Sequence, residues 1–248
     1  MFMQQKIDIL QETEHWVAVN KPAGLLSIPD REGKEPSLKK FLLAKYGSIF
    51  TVHRIDRDTS GVIIFAKNEK AHKYLSGQFE DRTTVKIYTG LVLGSPANLK
   101  GSIDAPIAEH PAGNGKMIIH RKGKSSLTDY EVLEELRPYS LVRFQLHTGR
   151  THQIRVHIQS IGHSLVCDTL YGDGKPVLVS SFKSKFKLSK SVEEERPILG
   201  RLGLHAALLE FTGEEGKRIS IEAPLPKDMQ ATLQQLRKYS ARKTTRLL

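Results

Sequence analysis

The stretch "VHRIDRDTSGVIIFA", Val52 to Ala66, joins a densely charged loop to an apolar run. Its first ten residues hold two arginines, two aspartates and a histidine, and "VIIFA" follows directly. A glycine such as Gly61 is typical of a turn, and a continuous apolar run is typical of a strand buried on both faces. The pattern therefore predicts that carboxylates lie where a sheet meets a cleft.

Two interpretations of the charged loop are open on the residues alone. Structural ion pairs are common, so the loop could be a turn fixed by an Arg–Asp pair, with Asp58 or Thr59 bonded to the backbone. Alternatively, one aspartate is held ionised by an arginine and acts as a nucleophile or a general base. The two interpretations differ in whether a carboxylate is available to a substrate.

A second dense motif is "HTGRTHQIRVH", His147 to His157. Gly149 permits a tight turn, and Thr151 is expected to cap a helix whose free N–H groups favour an anion. The helix dipole does not favour a cation at this end, so another group must hold Arg150. An acidic partner such as Asp56 would do so.

The remaining patterns predict a succession of strands with interspersed helices. The predicted elements are two short strands between Lys6 and Asn20, helices capped by Ser37 and Asn68, strands at "TVKIYTGLVLG", "TDYEVLEEL" and "SLVRFQLHT", the helix capped by Thr151, a hairpin of "LHAALLEF" and "KRISIEA", and a last helix capped by Asp228. Such an order, without strict strand–helix alternation, predicts an α+β fold. We expect one domain over 1–248, with a mixed, mainly antiparallel central sheet flanked by helices and loops.

Charge points to a polyanionic partner. The chain has 38 Lys and Arg against 27 Asp and Glu, a formal net charge of +11. A long-range positive potential concentrates phosphate-bearing ligands, so nucleic acid is the expected partner. The single cysteine, Cys167, excludes an intrachain disulfide and a zinc site with several thiolates, which indicates a reducing, cytoplasmic setting. No apolar window is long enough to predict a membrane span.

Neither a metal nor a nucleotide cofactor is expected. His152 and His157 lie five residues apart, about 140° around a helix, unlike the i, i+4 pair of a zinc helix. The chain has no GxGxxG or GxxxxGK[ST] phosphate loop, and the glycines of "AGNGK" lack the strand-to-helix setting of one.

Two basic segments lie outside these motifs. In 175–201, Lys183, Lys185 and Lys187 alternate with apolar residues, so this region is interpreted as an insertion, a lysine-guarded edge strand or an RNA contact. The second segment is a basic C-terminal tail at 237–248.

Several motifs together resemble the RluA-type pseudouridine synthases over nearly the whole chain. They occur in the family's order: "VNKPAGL" from Val19, "HRIDRDTSG" from His53, "KIY" from Lys86, "TGRTHQIRVH" from Thr148, "LYG" from Leu170 and "LHA" from Leu204. The two long motifs are the most specific. The resemblance implies the pseudouridine synthase fold and the isomerisation of uridine in rRNA or tRNA to pseudouridine, without a cofactor.

The resemblance also assigns roles. Asp56 matches the catalytic aspartate, Arg150 the arginine that pairs with it, and Tyr88 the aromatic residue that lies on the uracil and is a candidate base for the C5 proton. Arg54 lies where the family contacts the flipped nucleotide or the RNA backbone. Further substrate contacts are expected in the same motifs, at His53, Thr59, Lys86, Thr151 and His152. The enzyme is expected to be a monomer.

The chain departs from the family in two places. Many relatives carry an S4-type RNA-binding domain ahead of the core, but here the motifs begin by about Val19, so the core itself is expected to recognise RNA. Ser164 and Cys167 stand where proline and glycine are usual. Two other functions remain possible on the residues: an RNA-binding or assembly factor with little catalysis, and a glycoside hydrolase using Asp56 and Asp58 as carboxylates about 5 to 9.5 Å apart.

Overall fold

A computed structural model describes residues 7–113, 115–188 and 194–244 of the 248-residue chain. These residues form two compact units: 7–88 with 205–224, and 89–204 with 225–244. The prediction of one domain over 1–248 stays a prediction.

Strands and helices follow the order that the sequence predicts, with additional short strands. The strands are β1 (Asp8–Glu12), β2 (Trp16–Lys21), β3 (Phe50–Thr51), β4 (Ser60–Ala66), β5 (Val85–Leu93), β6 (Lys100–Asp104), β7 (Ile107–Glu109), β8 (Met117–Ile119), β9 (Leu127–Glu135), β10 (Tyr139–Leu146), β11 (Leu204–Thr212) and β12 (Arg218–Glu222). The helices are α1 (Leu38–Tyr46), α2 (Glu69–Glu80), α3 (Gln153–Ser160) and α4 (Lys227–Thr244), with a 3-10 turn at Val179–Ser181.

The sheet is mixed and mainly antiparallel. In the first unit the strand order is β1-β2-β4-β11-β5, with β3 beside β4 and β12 beside β11; in the second it is β5-β10-β9-β6. Strands β4 and β11 pair in parallel, whereas β1–β2, β2–β4, β9–β10, β6–β9 and β11–β12 are antiparallel. The predicted α+β class and sheet type are therefore confirmed.

Strand β4 is the centre of the first unit's core. All seven of its residues are buried, as the apolar run "VIIFA" predicts. Gly61 has a φ of 115°, and a Cβ there would lie 2.1 Å from the carbonyl oxygen of Ala206. Only glycine therefore lets β4 and β11 lie side by side at the point where the charged loop enters the sheet.

Two of the predicted helix caps are confirmed. The side chain of Ser37 accepts a hydrogen bond from the Lys40 N–H at the start of α1. Asn68 accepts one from the Ala71 N–H at the start of α2. Each cap satisfies an amide that the first turn leaves without a helical partner.

The cap predicted at Thr151 is wrong. Helix α3 begins at Gln153, and the residue before it, His152, has a left-handed φ of 54° and makes no side-chain cap bond. The Gln153 side chain turns back to accept a hydrogen bond from the Arg150 N–H, 3.0 Å away. The Gln153 side chain therefore accepts the backbone N–H at the start of the helix, a role that was expected of the Thr151 hydroxyl.

The cap predicted at Asp228 is also wrong, because the helix begins one residue earlier. Helix α4 begins at Lys227, because the carbonyl of Pro226 already accepts the helical hydrogen bond from the Gln230 N–H. Asp228 lies inside the first turn, where its carboxylate pairs with Arg201 at 2.7 Å. The helix dipole favours a negative charge there, and Asp228 Oδ1 also accepts the Met229 N–H at 2.8 Å, although Asp228 is not the residue before the helix.

Segment 175–201 is not an edge strand in the part that the structure describes. Residues 175–188 and 194–201 contain the 3-10 turn and one isolated bridge between Val177 and Leu199. Phe182 is buried, with its ring centroid 6.0 Å from that of Tyr239 on α4. Phe182 therefore packs inward on a helix, whereas Leu188 is exposed. Residues 189–193 lie outside the description. Of the predicted tail, 237–244 continue α4.

Cys167 occupies a backbone conformation that glycine adopts more easily. Its φ is 58°, and its buried Sγ donates to the Leu199 carbonyl oxygen at 3.4 Å. The left-handed region costs a residue with a Cβ about 1–2 kcal/mol. This is the position where the family resemblance implies glycine, so the chain keeps a glycine-like turn with a cysteine in it.

We predict that Cys167→Gly is more stable than Cys167→Ala by about 1 kcal/mol in free energy of unfolding, and that it therefore unfolds at a higher urea concentration. Both variants lose the sulfur, and only glycine relieves the left-handed φ. Ala71→Gly is the control, because the buried Ala71 lies in α2 and glycine there should destabilise by about 1 kcal/mol. Equal stability of the two Cys167 variants would contradict the prediction.

Candidate active site

A buried lysine fixes the charged loop from below. Lys21, at the end of β2, is fully buried, and its Nζ donates to the carbonyl oxygens of Pro22 at 2.9 Å, Leu25 at 2.7 Å and Arg57 at 2.8 Å. The Gly24 N–H donates to the same Arg57 carbonyl at 2.9 Å. The loop that carries Asp56 is thus attached to the "VNKPAGL" segment through the fully buried ammonium group of Lys21.

A serine fixes the same loop on the other side of Asp56. The buried Ser27 Oγ donates to the Ile55 carbonyl at 2.7 Å and accepts from the Ile55 N–H at 3.3 Å. The buried Thr59 donates its N–H to the Asp56 carbonyl at 3.2 Å. Asp56 is therefore flanked by anchored backbone, which holds its side chain on a rigid support.

His53 is held as a neutral ring. Its Nε2 accepts the Ile64 N–H at 3.1 Å, and the ring stacks on Phe79 with centroids 4.5 Å apart. Burial and the nearby charge of Lys86 lower the pKa of His53 to about 3. At pH 7 the imidazole therefore carries no charge. Its predicted contact with substrate stays a prediction.

Lys86 and Tyr88, on neighbouring same-side positions of β5, both titrate abnormally. Burial, with the charge of Arg82, lowers the pKa of Lys86, whose Nζ lies 5.9 Å from the Phe79 ring. Burial and then the negative charge of Asp56 raise the pKa of Tyr88. The phenol is consequently protonated at neutral pH, and Asp56 lies near enough to act on it electrostatically.

The other charged residues of the loop point to solvent. Arg54, Arg57 and Asp58 are exposed. Arg57 forms an ion pair at 3.0 Å with Glu35, which lies in the loop before α1. That pair ties the motif to another loop, and an exposed pair of this kind contributes little to stability.

In the second unit, the buried side chain of Gln153 organises the turn that contains Arg150. Its Oε1 accepts from the Thr148 hydroxyl at 2.8 Å and from the Arg150 N–H at 3.0 Å. Its Nε2 donates to the Leu127 carbonyl at 3.0 Å and to Thr128 Oγ1 at 2.9 Å. All of the amide's main hydrogen-bonding directions are used, so the turn is fixed to the start of β9. The half-buried Arg150 donates its Nε–H to the Ser125 carbonyl at 3.2 Å.

A buried ion pair supports the same helix. Arg155 donates to both carboxylate oxygens of Asp168, at 2.8 and 2.7 Å, and Asp168 also accepts the N–H groups of Leu170 and Tyr171. These contacts outweigh burial and hold the pKa of Asp168 below its usual value. The Tyr171 hydroxyl lies 2.9 Å from His152 Nδ1, which fixes the left-handed residue at the helix start.

The predicted site residues divide between the two units. The first unit brings together Asp56, Tyr88, His53, Arg54, Thr59 and Lys86, and the second contains Arg150, Thr151 and His152. Within the first unit, the charge of Asp56 contributes to the raised pKa of Tyr88. The pairing of Arg150 with Asp56 stays a prediction, as do the substrate contacts.

Sequence reasoning missed the buried polar residues that position the loops. Lys21, Ser27, Gln153 and Asp168 are almost completely buried. The only signal for Lys21 was a lysine that ends an apolar strand immediately before proline. Gln153 and Asp168 had no signal beyond their place in matched motifs, because a polar residue in a sequence does not reveal which carbonyl it will meet.

The described residues contain no group of three or more His, Cys, Asp or Glu side chains that could hold a metal ion. Nor is any helix of the described chain long and apolar enough to cross a membrane. The buried His157, considered above as a ligand, bonds Thr128 Oγ1 and the Ala105 carbonyl, each at 2.9 Å.

The fold is that of a pseudouridylate synthase. The solved structure described as human RNA pseudouridylate synthase domain containing 4 matches with a TM-score of 0.71 and 25% identity, covering 93% of each chain. A family model described as RNA pseudouridylate synthase matches residues 15–160. The chain belongs to this family.

Bacterial relatives agree with that assignment. The ribosomal large subunit pseudouridine synthase D of Zymomonas mobilis is 37% identical over 243 residues, 93% of this chain and 73% of the relative. The protein of the same name from Nitrosomonas europaea is 37% identical over 238 residues, 93% of this chain and 65% of the relative. The chain is thus an enzyme of the class that converts RNA uridine to pseudouridine.

We predict that Lys21→Met lowers the free energy of unfolding by about 3 kcal/mol or more, because the buried Leu25 carbonyl and the partly buried Pro22 carbonyl lose their donor. Lys67→Met is the control: Lys67 Nζ bonds Glu12 at 3.1 Å and the Thr13 carbonyl at 2.8 Å, but on a partly exposed surface. Its loss should cost about 1 kcal/mol. Urea titration compares the two, and equal losses would show that Lys21 does not anchor the loop.

Proposed function

We propose that this enzyme isomerises a uridine of large-subunit ribosomal RNA to pseudouridine, with Asp56 as its catalytic carboxylate. The observation that carries the proposal is the electrostatic coupling of Asp56, on a loop that Lys21 and Ser27 anchor, to the half-buried Tyr88. The names of the bacterial relatives support ribosomal RNA as the substrate. Transfer RNA is the second substrate to test.

The reaction balances without a redox partner. The bond from ribose C1′ to uracil N1 breaks, the uracil turns, C1′ bonds to C5, and the C5 proton leaves while N1 gains one. Asp56 could attack C1′, add to the uracil or assist glycal formation. All three routes use the charged carboxylate, and all three need it held still while the base rotates. The anchored loop meets that need.

Tyr88 is proposed to stack on the uracil and to act as the base that accepts the C5 proton. A neutral phenol can face a base and the Asp56 carboxylate without repulsion, and an aromatic face gives a flipped base a stacking surface. Arg150 is proposed to pair with Asp56. Arg54, His53, Thr59, Lys86, Thr151 and His152 are proposed to contact the nucleotide or its phosphates.

We predict that Asp56→Asn abolishes tritium release from large-subunit rRNA transcripts labelled at uridine C5, with a rate loss of at least about 10³-fold. Asp58→Asn is the matched control, because it changes an exposed aspartate of the same loop and should retain the rate within about threefold. RNA binding by Asp56→Asn should persist, since phosphate contacts need no carboxylate.

Other outcomes of this experiment identify the competing functions. A wild-type protein that binds rRNA and tRNA but releases no tritium from either would be an RNA-binding factor. Equal losses in the Asp56 and Asp58 variants would favour a pair of working carboxylates, as in glycoside hydrolysis.

We predict that Tyr88→Phe separates stacking from proton transfer. The ring remains, so RNA affinity should change less than about threefold, whereas the lost hydroxyl should slow tritium release by about 10²-fold. Single-turnover rates and filter binding measure the two quantities. An unchanged rate would exclude the hydroxyl from the chemistry.

Two finer statements are also proposals: that the enzyme acts as a monomer, and that it acts in the cytoplasm. The single cysteine and the rRNA substrate named for the relatives support the second. Light scattering of the purified protein during turnover tests the first, and localisation of a tagged chain tests the second.

A further inference from the structure

Two stretches of the second unit are rich in basic residues, of which Arg237 pairs with Glu134 at 2.5 Å and Lys175 with Asp173 at 4.0 Å. Between Asp173 and Glu193 the sequence holds five lysines and no acidic residue, and between Asp228 and the C-terminus it holds five lysines and arginines and again no acidic residue. These ten cations nearly equal the formal net charge of +11. The basic excess of the protein is therefore concentrated rather than spread.

The fold brings the two stretches together around one ring. Tyr239, on α4, has Lys183 Nζ 5.6 Å and Lys238 Nζ 5.9 Å from its centroid. Lys183 Nζ also lies 5.7 Å from the ring of Phe186. Phe182, beneath them, packs on Tyr239 and holds the segment against the helix. Lysines distant in sequence thus share one surface.

The lysines of this surface contact aromatic rings but form no ion pair in the described structure. Within residues 7–113, 115–188 and 194–244, no ion pair involves Lys183, Lys185, Lys187 or Lys238. Of the nearby acids, Glu195 accepts the Ser180 N–H at 2.9 Å, and Glu134 pairs with Arg237 at 2.5 Å. Bringing like charges together costs free energy, which a bound polyanion offsets. Half-buried aromatic rings among the lysines add faces on which bases stack.

We propose that Lys183, Lys185, Phe186, Lys187, Lys238 and Tyr239, the basic–aromatic cluster, bind the RNA backbone outside the target nucleotide. The proposal rests on the proposed RNA substrate and adds a second contact region to it. An RNA phosphate chain fits the observation better than a flat anionic surface, because rings and ammonium groups alternate in one place as they do in single-strand binding grooves.

The test compares charge reversals of equal size. Lys183→Glu with Lys238→Glu should raise the Kd for a large-subunit rRNA fragment about tenfold at 0.1 M salt and lower the slope of log affinity against log salt by about two. Lys70→Glu with Lys73→Glu, both exposed on α2, is the control and should change the Kd less than twofold. Lys185→Glu with Lys187→Glu, also exposed, gives a second variant of the cluster that disturbs no ring contact described here.

Turnover separates this inference from the proposed function. In the cluster variants, KM for tritium release should rise with the Kd while kcat stays within twofold. The inference would be overturned if the α2 control weakened RNA binding as much as the cluster variants do, or if neither cluster variant weakened it. It would also be overturned if the cluster variants lost binding to phosphatidylglycerol vesicles but kept RNA binding. Absence of wild-type tritium release alongside the expected binding changes would overturn the proposed function and leave the RNA surface standing.

Discussion

The position of Asp56 depends on a lysine that no solvent reaches. Lys21 gives its three ammonium protons to three backbone carbonyls, one of which belongs to Arg57, next to Asp56 in the chain. Burying an ammonium group is costly unless every proton is bonded, so this arrangement stabilises only one loop geometry. The Ser27 hydroxyl fixes Ile55 on the other side of Asp56. The proposed catalytic carboxylate thereby gains rigidity from its neighbours in the loop.

In the second unit, different buried polar groups position the turn that contains Arg150. The turn that holds Arg150 is attached by the amide of Gln153, and α3 is held by the bidentate Arg155–Asp168 pair. In both units the residues that look catalytic in the sequence are exposed or half-buried. Those that position them are polar and almost fully buried. Dense polar motifs of this kind therefore encode supports as well as reacting groups.

The sequence predicted most of the fold because local signals agree with it. The apolar "VIIFA" run became a fully buried strand, and Ser37 and Asn68 cap the helices expected of them. The errors at Thr151 and Asp228 have one physical origin: a capping residue type says that a helix starts nearby, while competing tertiary bonds decide the position. Gln153 replaces one cap, and a helical bond to Pro226 moves the other.

The candidate site was predictable in residue type but not in electrostatics. The motifs identified Asp56 and Tyr88, whereas the rise in the Tyr88 pKa follows from burial and from the charge of Asp56 in the folded unit. Burial alone keeps the phenol protonated at neutral pH, and the charge of Asp56 adds to that effect. Under the proposed function, a step that neutralises Asp56 removes only this second contribution, so the phenolate becomes easier to reach but is still disfavoured by burial.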